Sequence, residues 1–156
     1  RVPPVRVQLG FDEEFVTKFS LGNSQALRLQ VENYGDFHWT PIRDLIPVIC
    51  RFSRLTLFPL LLTLDVLEEL IVTVFSSDEI VAREWNVSLD SDNEEAADHL
   101  RARFNNDIFS TEGSCEYRLL DMNIYKRNCE YSCRIHSYYT NRMQFAQLTM
   151  EFKKKE

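Results

Sequence analysis

The chain has little of what most catalytic and ligand-binding motifs are built from. Its 156 residues include four glycines, Gly10, Gly22, Gly35 and Gly113. They are scattered and read as loop punctuation, so no glycine-rich loop is available to cradle a phosphate or a dinucleotide. The three histidines, His38, His99 and His136, show no paired metal-ligand spacing, and none accompanies a nucleophile-elbow serine. No window holds 18 consecutive apolar residues. The longest candidate, Leu55 to Leu64, is broken by Pro59, so no membrane-spanning helix and no membrane partner are expected. The opening Arg1-Val2-Pro3-Pro4 lacks the pattern of a signal peptide. There is no internal repeat, low-complexity tract or obvious linker, and the expectation is a single domain over residues 1–156.

What is present is material for a core. Apolar residues make up 44% of the chain, with eleven Phe, six Tyr and two Trp. A domain of this length buries roughly 70% of the surface that its unfolded chain exposes. The net charge is −6, unevenly spread: residues 1–113 carry 10 basic and 19 acidic side chains, residues 114–156 carry 8 and 5. An acidic body argues against wholesale nucleic-acid binding, while the basic end leaves a local basic face open. Mixed surface charge is also what any soluble domain carries.

Periodicity gives the elements. Val5 to Phe11 reads as a strand. In Ala26 to Glu32, Leu27, Leu29 and Val31 alternate with Arg28, Gln30 and Glu32, the period of a half-buried strand. Thr40 is an N-cap candidate with Pro41 at the first helical position. Ile42, Leu45, Ile46, Ile49 and Cys50 come next at helical spacing, so a helix is expected over about residues 41–52, kinked or shortened by Pro47. Arg54 to Leu62 is rich in β-formers, and its Pro59 signals an edge or a bulge. Residues 66–90 read two ways. The β-branched run Ile71-Val72-Thr73-Val74-Phe75 favours a hairpin turning at Ser76 to Glu79 and returning over Ile80 to Leu89. Leu67, Leu70, Ile71, Val74 and Phe75 also fit a helix, and in that reading Ser76 and Glu79 form a capping box. Ser91-Asp92-Asn93 offers N-caps for a helix over about residues 93–105, with Ala96, Ala97, Leu100 and Phe104 as its inner stripe.

The last forty residues read as a three-stranded antiparallel meander. Cys115 to Tyr125, Glu130 to Tyr139 and Gln144 to Phe152 all alternate. Turns at Lys126-Arg127 and Thr140-Asn141 set Leu120 and Leu148 opposite Cys133, and Ile135 opposite Ala146. In that register Arg118 falls on the inner face. The fold class expected is α+β, a mainly antiparallel sheet with a C-terminal three-stranded meander and at least two helices.

Few side chains argue for chemistry. Cys115, Cys129, Cys133 and His136 invite a zinc reading. On a strand, however, residues 133 and 136 point to opposite faces, and Cys129 and Cys133 lie about 13 Å apart, also too far for a disulfide. Free thiols, no metal and no cofactor are expected, together with an intracellular, reducing compartment. Asn86-Val87-Ser88 is formally a glycosylation sequon, a pattern that is frequent by chance. Glu68-Glu69 and Asp90-Ser91-Asp92 read as solvated acidic turns, and no catalytic residue is singled out.

The outer face of the meander is the candidate site. The expected register places Tyr117, His136 and Phe145 in one cross-strand row. Tyr138 and Met143 occupy the next, with Leu119, Arg134 and Gln147 on the other side. A solvated sheet face is normally polar, so either another element covers this one or a partner does. Tyr117, Arg134, His136, Tyr138, Met143 and Phe145 are the partner-binding candidates. Aromatics with arginine anchor protein or peptide partners. With Lys126 and Arg127 they also suit single-stranded RNA.

Leu67-Glu68-Glu69-Leu70-Ile71-Val72-Thr73-Val74-Phe75, continued by a polar turn and Ile80 to Leu89, resembles the hairpin of HORMA domains. The helix at 93–105 and the strand Ser114 to Leu120 come in that family's order, so the resemblance covers about residues 67–120. The family's long N-terminal helix has no counterpart. The resemblance implies an adaptor that captures a partner peptide or pairs with a similar domain. The leading expectation is thus a non-catalytic interaction module, with RNA binding as the alternative.

Overall fold

The computed structural model describes residues 5–8, 26–30, 46–47, 49–137 and 145–155. Among them eight strands form one open sheet in the order β1-β2-β3-β4-β8-β7-β6-β5. The strands are β1 (Val5–Gln8), β2 (Ala26–Gln30), β3 (Arg54–Leu62), β4 (Glu84–Leu89), β5 (Phe109–Glu116), β6 (Leu119–Lys126), β7 (Tyr131–Ser137) and β8 (Gln147–Lys154). Helix α1 (Leu64–Phe75) joins β3 to β4, and α2 (Asn93–Arg103) joins β4 to β5. The first four strands run parallel. The other four pairings are antiparallel, so the α+β class and the C-terminal meander hold.

Residues 64–75 are helical, not the first arm of a hairpin. Thr63 caps the helix, its hydroxyl accepting from the Val66 N–H at 3.2 Å, and Asp65 sits in the first turn, where it complements the helix dipole. The run Ile71 to Phe75 favours strand by propensity. Yet Leu67, Leu70, Ile71, Val74 and Phe75 all fall on one helical stripe and all are buried. Packing of that stripe outweighs a propensity difference of a few tenths of a kcal/mol per residue. The connection is therefore a parallel β3-α1-β4 crossover. Between Thr56 and Leu61 the β3–β4 register shifts, around Pro59, which has no N–H for the ladder.

The second helix begins as its sequence suggests. Asp92 accepts from the Glu95 N–H at 2.8 Å, and the helix runs to Arg103. In the region expected to be a helix over 41–52, Ile46, Pro47 and Ile49 are helical and the Cys50 N–H reaches the Ile46 carbonyl at 3.0 Å. Residues 41–45 and 48 lie outside the described residues.

One face of the sheet carries the core. Trp85, Leu148, Met150, Phe152, Cys133, Ile135, Met122 and Ile124 are buried with Leu67, Leu70, Ile71 and Val74 of α1 and Ala96, Ala97 and Leu100 of α2. Edge-to-face aromatic contacts link Phe75 to Phe109 and Phe152, and Trp85 to Phe152. The Trp85 indole N–H donates to the Phe52 carbonyl at 3.1 Å. Glu68 of α1 bonds both His99, at 3.0 Å, and Arg103 of α2. Glu68 and the nearby Asp65 and His99 are the only group of three metal-ligating side chains found together among the described residues. Glu68 there already serves Arg103, and the group reads as a polar tie between the helices.

The meander's register differs from expectation by four residues. Cys133 faces Phe152 and Ile135 faces Met150, not Leu148 and Ala146. On the other side Ile135 faces Met122 and Cys133 faces Ile124. A slip of four keeps every apolar side chain on the same face, so the alternation alone does not distinguish the two registers. The expected strand Cys115–Tyr125 is in fact two strands. Tyr117 and Arg118 turn between β5 and β6 with φ of 50° and 64°, and Glu116 pairs with Leu119 across them. Arg118 therefore lies in a turn, not on the inner face.

Candidate functional site

The face of the sheet opposite the core is a ladder of polar side chains, not the aromatic surface expected. Arg54 pairs with Glu84, Glu84 with Glu151, and Glu151 with Arg134 in successive strands. Two positions along, Asn86, Thr149, His136 and Asp121 pair in turn across the strands. Arg134 holds Asp121 through two bonds of 3.0 Å, which keeps the Asp121 carboxyl below its usual range. Glu151 accepts from Lys153 at 2.7 Å and from His136 at 2.8 Å, and both bonds lower its pKa. Thr149 donates to Asn86 at 2.9 Å, so the sequon asparagine sits in a strand with its carbonyl engaged. An open concavity of about 380 Å³ lies over Arg54, Glu84, His136, Thr149 and Glu151. Its charges are of both signs, with Glu151 paired to His136 and Lys153, a mixture that selects for no ligand class.

The candidate residues thus separate. Arg134 and His136 belong to this polar ladder, where His136 is flanked by Asp121 and Thr149 rather than by Tyr117 and Phe145. Tyr117 is at the tip of the β5–β6 hairpin, 90% exposed, and Phe145 precedes β8, 47% exposed. Tyr138 and Met143 lie outside the described residues. The reason is the register: once Tyr117-Arg118 becomes a turn, no strand position remains to bring Tyr117 beside His136.

A second group emerges, in which Leu61 is the one member that strand alternation had not placed on the candidate face. Leu61 pairs with Ser88, and Ser88 with Gln147. The neighbour of Gln147, Leu148, pairs with Ser137, whose hydroxyl accepts from the Leu120 N–H at 2.9 Å. Leu61, Gln147 and Leu119 therefore mark one end of the polar face. Leu61 is 43% and Leu119 44% exposed, and Tyr117 and Phe145 lie just beyond them. Four of the five large exposed apolar side chains among the described residues line this one rim; the fifth is Ile108, beside the β6–β7 turn.

Catalytic chemistry finds no assembled set among the described residues. His99 and His136 each engage a carboxylate. The four cysteines form no disulfide. Burial pushes the Cys133 thiol well above its ordinary value and Cys50 up to about 12, the opposite of what a nucleophile needs. No described helix is long and apolar enough to cross a membrane. Comparison with protein-family models, curated proteins and solved structures gives no match.

Proposed function

We propose that the chain is a non-catalytic protein-interaction module, an adaptor whose contact surface is the apolar rim of Tyr117, Leu119, Leu61 and Phe145. Tyr117 carries the reading. Two-residue hairpin loops with left-handed backbone favour Asn-Gly or Asp-Gly, because other side chains are strained there. Here the loop holds a tyrosine that is almost fully exposed, so its ring gains little from packing. A local rule broken without a structural gain is the mark of a functional position, and tyrosine is an interface anchor. The unbonded thiols favour an intracellular setting. The resemblance to HORMA domains implies the same class of function, but with residues 67–75 helical the proposal rests on the exposed side chains instead. RNA binding through the polar face has less support, since Arg134 and Lys153 already neutralise carboxylates.

The double substitution Tyr117→Asn with Arg118→Gly tests the reading, because it improves the turn while removing the anchor. The melting temperature should rise. Proteins captured from a lysate by the native chain, and retained after nuclease treatment, should be lost. Undiminished capture by the variant, or capture abolished by nuclease, would overturn the proposal.

A further inference from the structure

Strand β5 is the last of the sheet on the meander side, and its free edge divides into two halves. The alternation of the ladder shows which residues turn their main chain outward. The N–H of Phe109 goes to the Asn106 side chain at 2.9 Å, and the Phe109 carbonyl accepts from the Asn106 N–H at 3.0 Å. The N–H of Thr111 goes to the Asn105 side chain at 2.9 Å. On β6, the Leu120 N–H points away from β5, to Ser137, so its partner Cys115 also faces out. The loop after α2 thus closes the Phe109–Thr111 half of the edge. Among the described residues nothing bonds the outward main chain of Cys115, and an open strand edge is a template for another strand.

The charge around the open half has one dominant sign. Glu112 and Glu116 are exposed on the polar face of β5. Asp92, Glu94 and Asp98 of α2 and its cap act on Cys115 from the other side, against Arg101, which is itself bonded to Asp98. Arg118 lies in the adjoining turn.

We propose that the open half of the β5 edge, Gly113 to Glu116, takes a basic extended segment of another protein as a ninth strand. Main-chain hydrogen bonds supply the attraction in this mode, and flanking side chains select the partner. The carboxylates favour lysine or arginine at alternate positions, and they repel the edges of other copies of this chain. This surface adjoins the Tyr117 end of the apolar rim but rests on the strand edge and not on the rim's side chains.

The test uses the full chain and a fluorescein-labelled octapeptide of alternating lysine and valine, with the glutamate–valine counterpart as control. The basic peptide should bind at least tenfold more tightly and shift the Cys115 amide resonance. Cys115→Pro removes an outward N–H without touching the ladder to β6, and should weaken binding at least tenfold; simple attraction to an acidic protein would be unaffected. Glu112→Lys with Glu116→Lys should reverse the peptide preference and decides the matter should the proline variant misfold. Phe145→Ala, on the rim, should change nothing. Equal affinity for the two peptides, or a preference untouched by the charge reversal, overturns the proposal.

Discussion

Trp85 sits where the parallel and antiparallel halves of the sheet meet, and replacing it tests whether they share one core. Its neighbours across the strands are Leu55 of β3 and Met150 of β8, its ring meets Phe152 edge-on at 5.4 Å, and no part of it reaches solvent. Truncation to alanine removes the largest fully buried side chain among the described residues. The expected cost is about 3–5 kcal/mol, the range for a buried Trp or Phe, against a total stability of roughly 5–15 kcal/mol for a domain. The conservative Trp85→Phe separates two contributions. It keeps most of the apolar volume but deletes the indole N–H, stranding the carbonyl of Phe52, which is itself buried. An orphaned buried acceptor costs about 1–3 kcal/mol. Urea unfolding monitored by far-ultraviolet circular dichroism measures both, and the urea dependence should stay constant if the fold is kept. A loss below about 1 kcal/mol for Trp85→Ala would show that β4 is not seated between β3 and β8 as described, because no buried Trp truncation is that cheap.

The meander supplies two further tests. Gly113 has a φ of +104°, and a Cβ there would come within 2.1 Å of the Asp121 carbonyl oxygen, so Gly113→Ala should cost at least about 1–3 kcal/mol from backbone strain; a thermal melt unchanged from the native chain would contradict this close approach. Glu151 has a folded pKa below its ordinary value of 4.5 because Lys153 and His136 hydrogen-bond its carboxylate. Its contribution is therefore complete above pH 4.5 and is lost as the pH falls through the folded value. Urea midpoints measured from about pH 6 to about pH 3, a window set by the lowered pKa values of these two carboxylates, should fall less steeply for Glu151→Gln than for the native chain, whereas Asp121→Asn, at a side chain more than half exposed, should change the slope little. Parallel curves for the native chain and Glu151→Gln would refute the pairing.

Much of the local structure is written in short-range pattern. The cap at Asp92 and the stripe Ala96, Ala97, Leu100 place α2 within two residues of its observed end. Cys133, Ile135, Leu148, Met150 and Phe152 are buried on the faces that alternation assigns them. The candidate site was less legible. Tyr117-Arg118 has no turn signal, so the hairpin there was hidden, and with it the separation of Tyr117 from His136. Leu61 and Leu119 belong to elements far apart in the chain, and only pairing through β4, β8 and β7 brings them to one rim.

By itself the sequence determined which residues of α2, β7 and β8 face inward, where α2 starts, and that its last forty residues make an antiparallel meander, because these depend on periods of two and 3.6 over a few neighbouring residues. Tertiary structure alone decided the rest. It made a helix of a β-branched run, because a buried stripe on α1 outweighs propensity. It chose between registers four residues apart, because both bury the same side chains and only the fit between strands distinguishes them. It joined the parallel half to the meander through β4 and β8, a contact between segments some sixty residues apart that no local pattern encodes.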